Sequence, residues 1–355
     1  MCTKDLVASI FNEQYSKSEY KEQMKYWDLG SYARLREAIQ RFEEFKLGIP
    51  HRFAITSNAI DVLGNDIHNT KNCQYCFVTE NGVENCKFIY LGGLSLKDSY
   101  DMTSGGDNSQ LLYESVGMLS AERLFFCNGA NSSHDVEYSE QAIGSSNLFG
   151  CLYLKHRQYC ILNKQYIKEE YFSLVSKIKA QMSAMPYIDT RGRKYTYGEF
   201  FPIELAANAY NESWAFEEFP MSKDEALAQG YTWHDREQQE YKIDIETDKL
   251  PDHIRDTPDS ITNQVIACAH HGTCSELCTT AFRVIPDELA FYKQMNIALP
   301  RLCPNCRFFA RKQKQNPIKL WDRTCARCVK AFKTTYAPDR KEIIYCQKCY
   351  NQEFL

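Results

Sequence analysis

Hydrophobic residues recur at helical spacing in the first fifty residues of the chain. Within residues 31–47, Leu35, Ile39 and Phe42 fall on one face of a helix, and a glycine and a proline follow as stop signals. We therefore predict a helical N-terminal cap over residues 1–50.

Three further stretches follow the pattern of a helix. Residues 166–182 carry an apolar stripe, residues 222–229 begin with a capping box and end at a glycine, and residues 287–296 follow a proline. The sequence after the second of these helices is polar and acidic. We predict an α/β connector over residues 166–265.

Between residues 69 and 166 the helical periodicity disappears, and a short repeat replaces it. Its anchor positions lie at intervals of 13, 13, 13, 12, 12, 12 and 11 residues, at Cys73, Cys86, Ser99, Leu112, Leu124, Val136, Leu148 and Tyr159. About 12 residues are too few for a pair of helices but fit one strand and a tight turn. The pattern predicts a parallel β-solenoid over residues 51–165, and two short repeats to each coil is one arrangement that fits.

Six cysteines belong to this repeat region: Cys73, Cys76, Cys86, Cys127, Cys151 and Cys160. They occupy repeat positions that Ile89, Met102 and Leu162 fill elsewhere, and a free cysteine behaves as a small apolar residue. A metal site is the alternative, because one pair has ligand spacing, but no second pair faces it at a matching position. We therefore expect a buried ladder of core side chains.

The amino-acid composition limits the classes of protein to which this chain can belong. Of the 355 residues, 25% are charged and 44% are apolar, as in ordinary globular proteins. The N-terminus begins no apolar segment typical of a secretory signal, and no run of about 18 apolar residues occurs. We expect a cytoplasmic protein without membrane contact, in which closely spaced cysteines favour metal binding over disulfides.

Four close cysteine pairs lie in the last part of the chain. The final two pairs are Cys325, Cys328, Cys346 and Cys349, whose CxxC-x17-CxxC spacing is typical of a zinc ribbon or a treble clef. Each pair supplies half of a tetrahedral shell. The sequence predicts that these four thiolates hold one zinc ion.

A repeated sequence motif indicates a second, related zinc site earlier in the chain. The segment Cys278-Thr-Thr-Ala-Phe-Arg resembles Cys328-Val-Lys-Ala-Phe-Lys, which indicates a duplicated module over residues 266–355. For the first zinc site this alignment favours Cys274, Cys278, Cys303 and Cys306. Cys268, His270 and His271 are possible substitutes. We thus predict two structural Zn²⁺ ions in sequentially filled sites.

The predicted zinc ions are structural because a shell of four thiolates offers no open position for water or substrate. His270, His271 and Glu276 keep an open, catalytic form of the first site as an alternative. Otherwise the sequence contains few signatures of an enzyme, and an enzymatic activity is not the favoured interpretation.

Charge is unevenly distributed along the chain. From Arg301 to the end there are 13 Lys and Arg against 4 Asp and Glu, whereas the whole chain has a net charge of −4. Basic, aromatic and amide residues alternate over residues 307–321, a pattern that suits phosphate contact and base stacking. The candidate nucleic-acid contacts are Arg307, Arg311, Lys312, Lys314, Lys319 and Arg323. The alternative is a solvated connector whose aromatic residues pack on the zinc cores.

Several motifs resemble those of a group of uncharacterised zinc-ribbon proteins with a Cys-rich short-repeat region, typical of candidate-phylum bacteria. These motifs are Ser146–Cys151, Tyr159–Tyr166, Tyr197–Pro202, Leu299–Arg307 and Thr335–Arg340. The resemblance covers roughly residues 70–355. It implies a solenoid followed by zinc modules and leaves the activity open.

Together these patterns predict a mixed fold, in which a parallel β-solenoid with helical flanks precedes a duplicated zinc-ribbon or treble-clef module. The favoured function is a non-enzymatic zinc-binding protein that contacts nucleic acid or a nucleoprotein through its basic C-terminal module. One alternative is a solenoid enzyme acting on carbohydrate or a small metabolite, with Asp98, Asp101, Asp107 and Asp135 as candidate carboxylates. The other is an interaction scaffold that presents the solenoid face to protein partners.

Overall fold

A computed structural model describes residues 8–235 and 241–354 of the chain. They divide into two compact units. The first unit contains Met1–His51, Asp235–Gln315 and Lys341–Ile343, and the second contains Arg52–His234, Asn316–Arg340 and Ile344–Leu355. Among the helices in the described ranges, none is both long enough and apolar enough to cross a membrane. The predicted four-segment division remains a prediction.

The first unit begins with a hairpin and two helices. Strands β1 (Ala8–Ile10) and β2 (Glu13–Tyr15) pair antiparallel. Helix α1 (Lys17–Trp27) starts with a capping box, and Ser31 caps helix α2 (Tyr32–Gly48). The predicted helical region therefore contains two helices, while residues 1–7 of that prediction lie outside the described residues. Strand β3 (Pro50–Arg52) follows.

The repeat region of the second unit forms a parallel β-solenoid. Its strands are β4 (Thr56–Ser57), β5 (Ile60–His68), β6 (Lys71–Thr79), β7 (Lys87–Gly92), β8 (Tyr100–Asp107), β9 (Gln110–Leu119), β10 (Glu122–Phe125), β11 (Asn128–Asn131), β12 (His134–Glu137), β13 (Glu140–Ile143), β14 (Ser146–Phe149), β15 (Gln158–Ile161) and β16 (Lys164–Gln165). All of the pairings within it are parallel except that of β15 with β16, which closes the end as an antiparallel hairpin.

Strand register confirms the predicted repeat and corrects its final step. Leu112 pairs with Leu124, Leu124 with Val136, and Val136 with Leu148. The next partner of Leu148 is Cys160, so the last interval is 12 residues and not 11, and the predicted anchor at Tyr159 was wrong by one position. Because neighbouring coils are 11 to 13 residues apart, each coil contains one repeat; the arrangement with two repeats to a coil is wrong.

Left-handed backbone conformations make such a short coil possible. In the coil around Cys86, the residues just before its inward-facing positions include Asn85, Phe88 and Leu91, with φ of 54°, 57° and 58°. The backbone turns at each of these positions, and every third side chain then points into the core. Asparagine tolerates this conformation better than most residues do. The asparagines before the anchors are therefore part of the turn chemistry.

The solenoid core is a column of small and branched side chains. All six cysteines of the repeat region are buried within it, beside residues such as Leu124 and Leu148. Burial raises the pKa of the Cys127 thiol to about 12, so this group stays neutral at physiological pH. The expected ladder of buried cysteines is confirmed.

One helix covers an aromatic side of the solenoid. Helix α3 (Lys168–Ala184) contributes Tyr171 and Val175 to a cluster with Phe126 and Tyr138, whose rings stack with centroids 4.6 Å apart. The predicted helix over residues 166–182 is confirmed. Several of the 23 Tyr and 20 Phe of the chain lie at this interface.

The rest of the connector contains short elements. They are β17 (Tyr187–Ile188), β18 (Lys194–Tyr195), α4 (Trp214–Glu218), α5 (Lys223–Gln229), and the 3-10 helices Ile203–Leu205, Tyr210–Glu212, Thr247–Lys249, Ile254–Asp256 and Asp259–Asn263. Helix α5 has the expected capping box between Ser222 and Glu225 and ends at Gly230 in the left-handed conformation.

Two sets of elements surround the C-terminal cysteines. In the first unit these are β19 (Ile266–Ala267), β20 (Ala281–Phe282), α6 (Pro286–Met295) and α7 (Pro304–Lys312). They are followed along the chain by β21 (Trp321–Thr324), β22 (Ala331–Thr334), β23 (Ile343–Tyr345) and α8 (Gln347–Phe354). Helix α6 confirms the prediction of a helix after Pro286, and α7 covers the beginning of the basic and aromatic stretch 307–321, for which a solvated connector was the alternative to nucleic-acid contact.

Candidate metal centres

Four thiols of the first unit converge and can hold a metal ion. This first cysteine group consists of Cys268, Cys278, Cys303 and Cys306. The Sγ of Cys306 lies 3.9 Å from that of Cys268 and 3.5 Å from that of Cys303, and Cys303 and Cys278 are 4.0 Å apart. A tetrahedron with metal–sulfur bonds of about 2.3 Å has edges of about 3.8 Å. The group therefore has the size of a tetrahedral thiolate shell.

These thiols are positioned by a short hairpin and by the first turn of a helix. Cys268 follows β19 directly, and Cys303 is the N-cap of α7, on which Cys306 lies one turn later. Backbone amides donate to two of the sulfurs: Cys303 N to Cys268 Sγ at 3.2 Å, and Thr280 N to Cys278 Sγ at 3.3 Å. Such donors stabilise negative charge on sulfur and orient the ligands.

Four thiols of the second unit form an equivalent arrangement. This second cysteine group consists of Cys325, Cys328, Cys346 and Cys349. The Sγ atoms of Cys328 and Cys346 are 3.7 Å apart, and the backbone amide of Cys346 donates to Cys325 Sγ at 3.3 Å. Cys328 is exposed and the other three are buried. The structure thus brings together the same four residues that the sequence predicted for this group.

The two groups share one structural plan. In each, a thiol follows the first strand of a hairpin, and the second strand begins with the Ala-Phe pair, at Ala281 and at Ala331. Ala267 pairs with Ala281, and Thr324 pairs with Ala331. A cysteine follows both Ala267 and Thr324, so Cys268 corresponds to Cys325.

This correspondence changes the predicted ligand set of the first site. The structure groups Cys268, and not Cys274, with the other three thiols. Nine residues separate Cys268 from Cys278, whereas two separate Cys325 from Cys328. The close spacing of Cys274 and Cys278 favoured a different cysteine from the one that the structure groups with Cys278, because a spacing rule does not detect an insertion between hairpin strands. Aligning the strand before each cysteine would have identified Cys268.

The electrostatics lower the pKa of one thiol in each group, whereas burial raises the pKa of Cys268 and Cys306. Burial raises the pKa of Cys303, but hydrogen bonds from Thr279 and from the Cys306 backbone lower it further than burial raises it. Burial also raises the pKa of Cys325, and the backbone amides of Cys346 and Cys328 outweigh it. The net effect is a lowered pKa at one thiol in each group. Deprotonated sulfur is the form that binds soft or borderline metal ions.

A third cluster of possible ligands adjoins the first cysteine group. This mixed group consists of His270, Cys274, Glu276 and Cys306, and all four donor atoms lie within 4.8 Å of one another. Cys274 Sγ is 3.6 Å from Cys306 Sγ, and His270 Nδ1 is 3.2 Å from Glu276 Oε2. His271, a suggested substitute ligand, is exposed and belongs to none of these groups.

The candidate nucleic-acid residues differ in how freely they can reach a ligand. Arg307 on α7 contacts Glu288 at 3.2 Å and donates to the Tyr292 hydroxyl at 2.9 Å. Arg323 donates to the backbone carbonyl of Ala337 at 3.2 Å. These two guanidinium groups therefore have structural roles within their own units.

The remaining four candidates lie closer to solvent. Lys314 forms an exposed ion pair with Glu43 at 3.0 Å, and the amine of Lys319 lies 5.3 Å from the ring centroid of Trp321. Arg311 is exposed and Lys312 is half-buried. Exposed ion pairs contribute little, so an anionic ligand can displace them at small cost.

The solenoid acids proposed for an enzyme take part in contacts between coils. Asp135 accepts two hydrogen bonds from Arg123, which holds the pKa of that carboxyl below its usual range. Asp98 accepts from Asn85, and Asp107 accepts from the backbone amide of Leu94. Burial raises the pKa of Asp101. Three of the four acids thus serve the solenoid itself.

Comparison with known proteins yields no match: no family model, curated protein or solved structure is significantly similar to this chain. No family is therefore confirmed for it. The parts of the sequence resemblance that the structure shows are the β-solenoid and the two groups of four cysteines.

Proposed function

We propose that this chain is a zinc-binding, non-enzymatic protein in which the first and second cysteine groups each hold one structural Zn²⁺ ion. The observation that carries the proposal is the convergence of four sulfurs in each group, with separations of 3.5 to 4.0 Å in the first. Tetrahedral sites with four sulfur ligands take zinc or iron. Zinc is preferred here because both groups combine a β-hairpin with the start of a helix, as in a treble clef.

A structural role follows from the closed shell. Four thiolates saturate a tetrahedral ion, so no position remains for an activated water. Cys268, Cys303 and Cys306 are also fully buried, which keeps substrate away from the first ion. The expected effect of zinc is therefore on folding of the hairpin and helix around each group.

Metal analysis of the full chain tests this proposal. The purified protein should contain zinc in at least two equivalents, and a Cys346→Ser/Cys349→Ser variant should lose one of them. A Cys151→Ser variant, altered in the solenoid core, serves as the control and should retain the wild-type zinc content. Iron in place of zinc, or an unchanged zinc content in the double variant, would contradict the proposal.

Nucleic-acid binding is the second candidate, and the charge of the C-terminal part supports it. The 13 basic residues from Arg301 onward face only 4 acidic ones. Arg327 directly precedes Cys328 of the second group, and Lys330 follows it by two residues. Both are exposed beside Val329, which is 74% exposed. Two cations flanking an exposed apolar side chain on a metal-ordered turn suit contact with phosphate and base.

Binding of the zinc-loaded full chain to single-stranded and duplex oligonucleotides at two salt concentrations tests this candidate. An Arg327→Gln/Lys330→Gln variant should bind more weakly and with a shallower dependence on salt. The matched control is Lys168→Gln/Lys177→Gln, which removes two exposed charges from α3. Equal losses in both variants, or no binding at low salt, would argue against a nucleic-acid role and favour the scaffold.

A further inference from the structure

The insertion between Cys268 and Cys278 contains ligands that the proposed zinc ion does not use. The first cysteine group already supplies four thiolates, which fill a tetrahedral shell. Cys274, His270 and Glu276 all lie within the inserted segment and come together beside Cys306. In the second cysteine group, the corresponding segment between Cys325 and Cys328 contains only two residues. The extra ligands are thus a specific addition to the first module.

Two buried polar atoms in this cluster lack hydrogen bonds. Within the described residues, the buried atoms His270 Nδ1 and Glu276 Oε2 form no hydrogen bond of good geometry, although they lie within ion-pairing distance of each other. Leaving such buried atoms unsatisfied is destabilising, because they lose their hydrogen bonds to water. Their separation of 3.2 Å is close to the edge of about 3.4 Å expected between nitrogen and oxygen ligands bound at about 2.0–2.1 Å. A shared cation would satisfy both atoms.

The sulfur ligands have matching spacing. Cys274 and Cys306 are 3.6 Å apart, near the edge of about 3.8 Å between two thiolates on one tetrahedral ion. Cys306 is also 3.5 Å from Cys303 and 3.9 Å from Cys268. Its sulfur therefore lies at the common corner of two four-ligand shells, and a thiolate has lone pairs for two metal ions.

We propose that the first module binds a second metal ion, held by His270 Nδ1, Cys274 Sγ, a Glu276 carboxylate oxygen and Cys306 Sγ, with Cys306 as a bridging thiolate. Zinc fits this mixed set of nitrogen, sulfur and oxygen ligands. The added ion also balances the negative charges of Cys274 and Glu276 beside a four-thiolate site that is itself anionic. This inference depends on occupancy of the first cysteine group, as proposed above.

Zinc content of the full chain provides the first test. Wild type should bind three equivalents, and a His270→Asn/Glu276→Gln variant should bind two. The matched control His271→Asn changes the neighbouring exposed histidine and should keep three. A Cys274→Ser variant should likewise fall to two, which guards against misfolding of the double variant. Two equivalents in wild type, unchanged in both variants, would overturn the second ion.

Replacement of zinc by cadmium tests the bridge. With ¹¹³Cd, wild type should give three resonances, two of which show coupling to each other through Cys306 Sγ, while the resonance of the second cysteine group stays a singlet. Three uncoupled resonances would overturn the bridging role. A single resonance from the second group alone would instead refute metal binding by the first cysteine group, so failure of the proposed function is distinguishable from failure of this inference.

Discussion

The Sγ of Cys268 lies 3.9 Å from the Sγ of Cys306, a residue 38 positions further along the chain. The contact exists because β19 delivers Cys268 to the start of α7, where Cys303 donates its backbone amide to the same sulfur. This relationship assigns Cys268 to the first cysteine group and leaves Cys274 for another role.

Loss of Cys268 should therefore weaken the first zinc site more than loss of Cys274 does. We expect Cys268→Ser to lower the affinity of one zinc ion by more than about tenfold, since a ligand contributes at least as much as the outer-shell groups that orient it. Competition with a chromophoric chelator measures this change. Equal affinities in Cys268→Ser and wild type, with a large loss in Cys274→Ser, would restore the ligand set chosen from spacing.

Packing in the solenoid core should dominate the stability of the second unit. Leu124 is fully buried, and Leu124→Ala should cost about 2–5 kcal/mol of unfolding free energy, because it removes contacts and leaves a cavity. Leu152 is 50% exposed, so Leu152→Ala should change stability by less than about 0.5 kcal/mol. Urea denaturation followed by circular dichroism compares the two; similar losses would contradict the solenoid register.

At Asn85 the usual order of alanine and glycine should reverse. Its φ of 54° is left-handed, and its side chain links Asn72 at 3.1 Å with Asp98 at 2.9 Å. Both Asn85→Ala and Asn85→Gly remove these hydrogen bonds, but only alanine bears the backbone cost of about 1–2 kcal/mol. Asn85→Gly should thus be the more stable variant in thermal unfolding. A more stable alanine variant would show that the left-handed turn is absent.

The Cys127 thiol should make stability depend on alkaline pH. Its folded pKa is raised to about 12 by burial, whereas a free thiol titrates near 8.5. A raised folded pKa contributes stability that is complete below the unfolded pKa and is lost as pH rises toward the folded one. Between about pH 9 and 11, wild type should lose up to about 1.4 kcal/mol per pH unit more than Cys127→Ala.

Denaturation at several pH values measures this difference. The control is Ser139→Ala, which changes the equivalent position of the next coil, where the side chain is also buried but does not titrate. Its pH dependence should match that of wild type. Parallel curves for Cys127→Ala and wild type would mean that this thiol titrates alike in the folded and unfolded chain.

The sequence by itself determined the solenoid and most of its core. A coil of 11 to 13 residues repeats the same local turn, so anchors such as Leu112 and Leu124 are recognisable without any knowledge of the tertiary structure. The last anchor was misplaced at Tyr159, although β15 still pairs with β14 in the 12-residue register and the chain turns back into the antiparallel strand β16 only after Ile161. The second cysteine group was also predictable, since all four of its cysteines come from two short CxxC segments.

Only the tertiary structure decided which cysteines of the first module come together and what its charged residues contact. Cys268 joins the first cysteine group because β19 pairs with β20 across an insertion. The spacing of cysteines along the chain does not reveal that pairing. Likewise, Arg307 belongs to a basic stretch in the sequence but contacts Glu288 on another helix. Local patterns specify turns and repeats, whereas ligand sets and ion pairs depend on which distant segments the fold brings within a few ångströms.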